Sequence, residues 1–299
     1  MLPSQMSQGR VLVNSLPKSG THLLTKAIHI LGYAEHAANR GYIKRLVDST
    51  GLGTPRYFNY RESHKSLKIG KFDPDAVEDN IGIGAFSPYY VNQVTFRFWL
   101  NNVQKGRYIQ GHIPWTPGIT PVITDLAYHH LVIIRDPRAV VASLLPFILD
   151  AWKTGMGSHF LEADFKTMSP MQRLNFILEG GYAPLAKVEI KSFAEVYRSM
   201  LAWRNQPNSL FMRFEDLVGE QGGGDIDQQK ITVEKIASFL RIPFDKEVEN
   251  RLKTVYDTSS RTFRTGKIDG WKTSMDSEIV DHLNKSCEAL CNEAGYQLT

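Results

Sequence analysis

Apolar positions in this 299-residue chain follow a rhythm of short runs and helical stripes. Val11, Leu12 and Val13 form a continuous apolar run closed by Pro17 and Gly20, the pattern of a buried strand running into a turn. Directly after it, Leu23, Leu24, Ala27, Ile28 and Leu31 share one helical face. Lys26 and His29 lie off that face, and Gly32 is the expected stop. The pattern recurs downstream. Residues 107–114 read as a strand leading into a turn, and 129–134 as a second buried strand ended by Arg135-Asp136-Pro137. Asp136 then Pro137 is a good N-cap and first helical residue. Val140, Val141, Leu144, Leu145 and Ile148 line the helix that follows, with a kink expected at Pro146. An amphipathic helix is predicted over 187–204, a strand over 209–214, a helix over 232–240 and a closing helix over 277–295. Residues 219–225, rich in glycine, read as a flexible surface loop. Residues 33–106 are harder to order: 51–55 and 72–75 are turns, 81–88 is loop-like and 89–100 is aromatic-rich. Strands separated by helices predict an α/β fold, a central mainly parallel sheet flanked by helices, in one domain over 1–299.

Composition adds limits. Hydrophobic residues make up 42% and charged residues 22%, enough to bury a large core and typical of a soluble globular chain. The net charge of +4 is spread out. No Lys/Arg block marks a nucleic-acid or membrane-surface partner, while a modest positive bias suits an anionic ligand. The first eight residues are polar and no run approaches 18 apolar residues, so a cytoplasmic protein without a span is expected. Cys287 and Cys291 lie one helical turn apart without histidine companions. They read as reduced thiols rather than as a disulfide or a zinc pair, and no metal is expected.

The candidate chemistry starts at Pro17-Lys18-Ser19-Gly20-Thr21, between the first strand and helix. Unpaired N–H groups and the helix dipole favour an anion there, and a lysine at that place is unfavourable without one. The order is not that of a Walker A loop, whose lysine follows the last glycine; here Lys18 precedes Gly20 and Val13 stands where the first glycine belongs. Three more segments draw attention: Gly111-His112-Ile113-Pro114, Arg135-Asp-Pro-Arg-Ala-Val-Val-Ala-Ser143, and Arg264-Thr-Gly-Lys-Ile-Asp-Gly-Trp-Lys272.

Together these four segments resemble the sulfotransferases that use 3′-phosphoadenosine 5′-phosphosulfate (PAPS), in particular the cytosolic, small-molecule type. The resemblance implies a P-loop-kinase-like fold and a sulfonyl transfer from PAPS to a hydroxyl or amine of a small organic acceptor, leaving 3′-phosphoadenosine 5′-phosphate (PAP). It implies that Lys18, Ser19, Gly20, Thr21, His22 and Leu23 hold the 5′-phosphosulfate, with Lys18 on the bridging oxygen. Arg135 and Ser143 would grip the 3′-phosphate, together with Arg264, Thr265 and Gly266 of a C-terminal cofactor loop over 258–272. Phe214 and Thr258 would lie beside the adenine. His112 would be the catalytic base, a role suited to imidazole because it titrates near working pH. The chain departs from the family in two places: Gln110-Gly111 replaces the usual Lys-Thr, and Leu23 replaces a stacking tryptophan. The variable segment at 33–106 would shape the acceptor site, with aromatics of 86–99, Trp115 and the 147–160 region. Its acidic residues Glu62, Asp73, Asp75, Glu78 and Asp79 leave room for a cationic, nitrogen-rich acceptor. A specialised metabolite is the expected acceptor. The family's dimer motif is not recognisable at 272–276. The rival readings are an ATP-dependent P-loop-type kinase and a non-catalytic nucleotide-binding partner protein.

Overall fold

Five parallel strands form the centre of the computed structural model, in the sheet order Ala34–Glu35, Arg107–Gly111, Arg10–Ser15, Tyr128–Ile134 and Ser209–Arg213. The structure describes residues 8–36, 53–59, 80–155, 157–259 and 266–298. In chain order the elements are β1 (Arg10–Ser15), α1 (Thr21–Ile30), β2 (Ala34–Glu35), β3 (Asn80–Ile83), β4 (Tyr89–Asn92), α2 (Gln93–Asn101), β5 (Arg107–Gly111), α3 (Ile119–Asp125), β6 (Tyr128–Ile134) and α4 (Pro137–Asp150). They continue with α5 (Glu162–Lys166), α6 (Pro170–Glu179), β7 (Gly181–Ala183), β8 (Val188–Ile190), α7 (Phe193–Leu201), β9 (Ser209–Arg213), α8 (Phe214–Leu217), α9 (Ile226–Phe239), α10 (Lys246–Asn250) and α11 (Ser277–Ala294).

The continuous apolar run of β1 is explained by burial on both faces, as parallel sheets require. Leu12 packs into the layer that holds Phe96, Trp99, Val140 and the closing helix α11. Val11 and Val13 face the opposite layer, with Leu24 and Ile28 of α1 and Val233 and Ile236 of α9. Because the strands run the same way, Ser15, Gly111, Ile134 and Arg213 all end at one edge of the sheet. Ligands in open α/β sheets bind outside that edge.

Several local expectations are corrected. Residues 187–204 are not one helix. Val188–Ile190 pairs antiparallel with β7, and the helix starts only at Phe193, where the Ser192 side chain accepts the Glu195 N–H as N-cap. Residues 202–205 then continue as a 3₁₀ turn. Residues 81–88 are not simply loop: β3 pairs with β4, and Ile81 and Ile83 are fully buried. The glycine-rich stretch 219–225 is not a free surface loop. Gly222 is buried and its carbonyl accepts the Ile268 N–H at 2.9 Å, so the stretch anchors the C-terminal segment. Asp225 caps α9, which begins at Ile226 rather than near Thr232. Phe214 opens α8 instead of ending β9. Pro146 lies inside α4 without ending it, and Asp136 and Pro137 start that helix as expected.

Cys287 and Cys291 are free and buried on α11. Burial pushes both thiols up, Cys291 to about 11, which keeps them protonated and unreactive. Among the described residues, no helix is long and apolar enough to cross a membrane.

Candidate functional site

The strand–turn–helix at the start of the sheet makes a cradle. Lys18 adopts a left-handed backbone, φ 70°, and Gly20 follows at φ 103°. A side chain at Gly20 would be strained by that φ, and its Cβ would lie 2.7 Å from Phe214 Cδ2. Glycine therefore lets the loop fold down onto Phe214. Ser15 and Thr21, both buried, share a 2.5 Å hydrogen bond between their hydroxyls across the turn. Ser19 is fully buried, and its hydroxyl has no hydrogen-bond partner among the described residues. A buried hydroxyl without a partner is costly unless a ligand satisfies it. Lys18 Nζ lies 4.5 Å from the centre of the Phe147 ring on α4. His22 is exposed on the first turn of α1. Leu23 is buried in the layer with Phe214 and Leu217, so its side chain presents no flat face for a base.

Arg135 follows β6 and is only 7% exposed. Its guanidinium lies 4.2 Å over the Phe214 ring. One terminal nitrogen donates to the Lys18 carbonyl at 3.5 Å and the other to the Lys267 carbonyl at 2.8 Å. Nε has no partner among the described residues. Burial lowers this guanidinium's pKa, and nearby Glu215 and Asp136 only partly offset that. Arg135 is thus an under-compensated buried cation, the kind of group that an anion stabilises.

Arg135, Ser143 and Trp271 line a cleft of about 200 Å³ between α4, α6 and the segment before α11. Trp271 Nε1 is another buried donor without a partner among the described residues. Arg173 of α6, which the sequence did not single out, lines the same cleft, with its Nε fixed on the Phe165 carbonyl at 2.7 Å. Gly266 stands next to the Gly222 turn. Arg264 and Thr265 lie outside the described residues, as do Glu62, Asp73, Asp75, Glu78 and Asp79. Thr258 is exposed. Its neighbour Asp257 pairs with Lys26 of α1 at 2.6 Å, which keeps that loop beside the helix. Glu215 accepts from the Asp136 N–H at 3.0 Å and from the Tyr296 hydroxyl at 2.8 Å, a structural role.

His112 follows β5 and is held from four sides. Its Nδ1 lies 2.8 Å from the Ser15 carbonyl, which fixes Nδ1 as the protonated nitrogen and leaves a lone pair on Nε2. Its backbone N–H donates to Phe58 O at 2.9 Å, and its carbonyl accepts from Gly84 N at 2.8 Å. The next residue, Ile113, is clamped by buried Asn14 through two 2.9 Å bonds. Burial lowers the imidazole pKa to about 4; the Ser15 carbonyl works against this and His22 adds to it. The ring is therefore neutral at pH 7, the state a base requires.

Phe58 explains the departure at Gln110-Gly111. It forms a parallel bridge beside Gly111 at the sheet edge, and a Cβ on Gly111 would lie 2.7 Å from Phe58 Cβ. Gln110 Nε2 donates to Glu35 at 3.2 Å. Phe58 stacks on Trp99 and tilts against Phe96, all three fully buried. Phe96 and Trp99 are thus core rather than acceptor lining, a correction to the aromatic-rich reading of 86–99. Phe147, by contrast, meets the edge of His159 at 6.0 Å, and His159 stacks on Phe160. These three form a partly exposed aromatic wall running from Lys18.

Solved structures share this architecture. One is mouse sulfotransferase SULT7A1 complexed with PAP, at a TM-score of 0.54 and 16% identity over 97% of this chain and 89% of that one. Another is retinol dehydratase in a complex with retinol and PAP, at 0.50 and 15% over 97% and 82%. At such identities the likeness establishes the fold. No curated protein sequence matches. The sulfotransferase domain family matches residues 8–295, and the chain belongs to that family.

Proposed function

We propose that the protein transfers a sulfonyl group from PAPS to a hydroxyl or amine of a small organic acceptor. The observation that carries this reading is a pair of buried polar groups without partners among the described residues, Ser19 Oγ in the loop whose Gly20 packs on Phe214 and Arg135 Nε on the guanidinium over the Phe214 ring. One suits the 5′ and the other the 3′ phosphate of a single adenosine, so the residues present fit PAPS. When bound, PAPS supplies the activated sulfonyl group. Lys18 and the N–H groups opening α1 stabilise negative charge at the 5′ end, where fixed donors act strongly because they need no reorganisation. Arg135, Ser143, Arg173 and Gly266 hold the 3′ end, and Phe214 and Thr258 flank the base. His112 Nε2 takes up the proton that the acceptor loses. Support for an organic acceptor comes from the aromatic wall of Phe147, His159 and Phe160. The cations of the site are side chains, so activity is expected to survive EDTA.

Thermal shift with PAP, PAPS and ATP tests the nucleotide, and mass spectrometry of PAPS incubations with phenols, alcohols and amines tests transfer. A large shift with PAP, a small one with ATP and an 80-Da gain on an acceptor are expected. Stabilisation by ATP alone, or PAP binding without transfer to any acceptor, would sink the proposal.

A further inference from the structure

Tyr57 stands directly on the base. Its hydroxyl lies 3.0 Å from His112 Nε2, and its ring is tilted against the imidazole at 5.2 Å between centres. Because Nδ1 carries the imidazole proton, the phenol is the donor in this bond. The Thr21 side chain, part of the loop cradle, is near enough to pull the pKa of the same phenol down against burial. Tyr57 Oη therefore sits between the base and the turn that holds the 5′ end. The placement is built in rather than incidental. Phe58 donates its N–H to Gln110 O and accepts from His112 N, both at 2.9 Å, and its ring is locked in the core. The Thr54 hydroxyl ties the same segment to the Trp99 carbonyl at 3.0 Å. Gly111 makes room for this segment, and the Gln110 amide is engaged by Glu35. Tyr57 thus brings a polar hydrogen to the base where the chain lacks the family's Lys-Thr.

We propose that Tyr57 is a catalytic residue that relays the acceptor's proton to His112. This rests on the sulfotransferase reading above. The acceptor O–H bond (or N–H bond) breaks and its proton goes to Tyr57 Oη, while the Tyr57 proton passes to His112 Nε2. The acceptor atom bonds to sulfur as the bond from sulfur to the 5′-phosphate oxygen breaks, and that oxygen leaves with the electron pair. Tyr57 ends neutral and His112 protonated. Burial pushes the Tyr57 pKa up, so the phenol stays protonated and serves as a two-way carrier rather than as an anion.

Tyr57→Phe tests the relay, since it keeps the ring and removes only the hydroxyl. In the free protein, NMR titration of His112 should move upward, because the neutral imidazole loses its hydrogen bond; His22 is the other titrating neighbour and should not move. An unchanged His112 titration overturns the proposal. With PAPS and the acceptor on which the wild type turns over, kcat should fall about 10²-fold, at the low end of acid–base effects. KM for the acceptor, the PAP-induced thermal shift and the melting temperature should hold. The wild-type rate should bow when plotted against deuterium fraction, with two protons in flight, and the variant's should be straight. A kcat that stays level or rises means that Tyr57 only occupies the acceptor's place. A joint loss of kcat, PAP shift and melting temperature means that it is structural. If the wild type itself neither binds PAP nor transfers, the underlying reading fails; if it does both and the variant matches it, only the relay fails.

Discussion

The proposed donor side and the proposed acceptor side of this site are built in different ways. The donor cradle is local: Ser15 to Thr21 turn from strand to helix within a few residues, and Arg135 follows the next strand of the same sheet. The acceptor side is assembled from afar. His112 is held by Ser15, Phe58 and Gly84, and Tyr57 reaches it from a segment that is not part of any sheet strand. A local cradle tolerates little change in order, because each residue is fixed by its neighbours. A long-range one can keep its chemistry while residues are exchanged between segments, as the pairing of Gly111 with Phe58 illustrates.

That contrast can be tested from its largest effect down. His112→Ala should cut turnover ~10²–10⁴-fold while PAP binds nearly as before, since general-base catalysis is what is lost; steady-state kinetics with calorimetry read both. Arg135→Ala should do the opposite and strike the nucleotide. Hydrogen bonds to charged groups are worth about 1.5–3 kcal/mol each, so PAP affinity should drop about 10²-fold or more. Equal losses in both measurements for both variants would erase the division. Gly111→Thr, which restores the family residue, should destabilise the fold by about 1–3 kcal/mol through overpacking against Phe58, read by urea unfolding.

Acid should weaken the fold as well. Burial lowers His112 and His159 to about 4 and His130 to about 3, against about 6.5 in an unfolded chain. Between pH 6.5 and 4 the unfolded chain binds protons that the native state refuses, so stability is full above 6.5 and falls below it. Melting temperatures across pH 4–8 should show this slope, and His130→Gln should flatten it. The smallest effect is expected from Ser19→Ala. PAP affinity should fall about 10-fold, the worth of one hydrogen bond to a charged group, while the free protein becomes no less stable, because a partnerless buried hydroxyl is removed. A loss of stability in the free protein would mean that Ser19 already has a partner.

The same division governs what the sequence reveals. Apolar runs and a helical stripe exposed β1, α1, β6 and α4, because burial on both faces of a parallel sheet leaves a pattern that neighbouring residues carry together. The positions of Lys18, Arg135 and His112 just after strand ends are legible for the same reason, each lying beside a turn. Tyr57 and Arg173 were not, since their meaning depends on partners far along the chain. The start of α7 was misplaced because the amphipathic stripe runs back through β8, where Ser192 rather than periodicity sets the boundary. The glycines of 219–225 suggested mobility, but packing against the C-terminal segment decides their role.

Arg138 links the cap beside Arg135 to residues 284–297. It grips Asp136, the cap of α4, and it also reaches Asn284 at 3.1 Å and the carbonyl of Gln297 at 2.9 Å, while its guanidinium lies 4.7 Å over Trp271. The cap that aims Arg135 is thus tied to the last residues of the described chain. Disturbing residues 284–297 would be felt at Arg135, whereas the same edit on the exposed face of α9 would pass unnoticed.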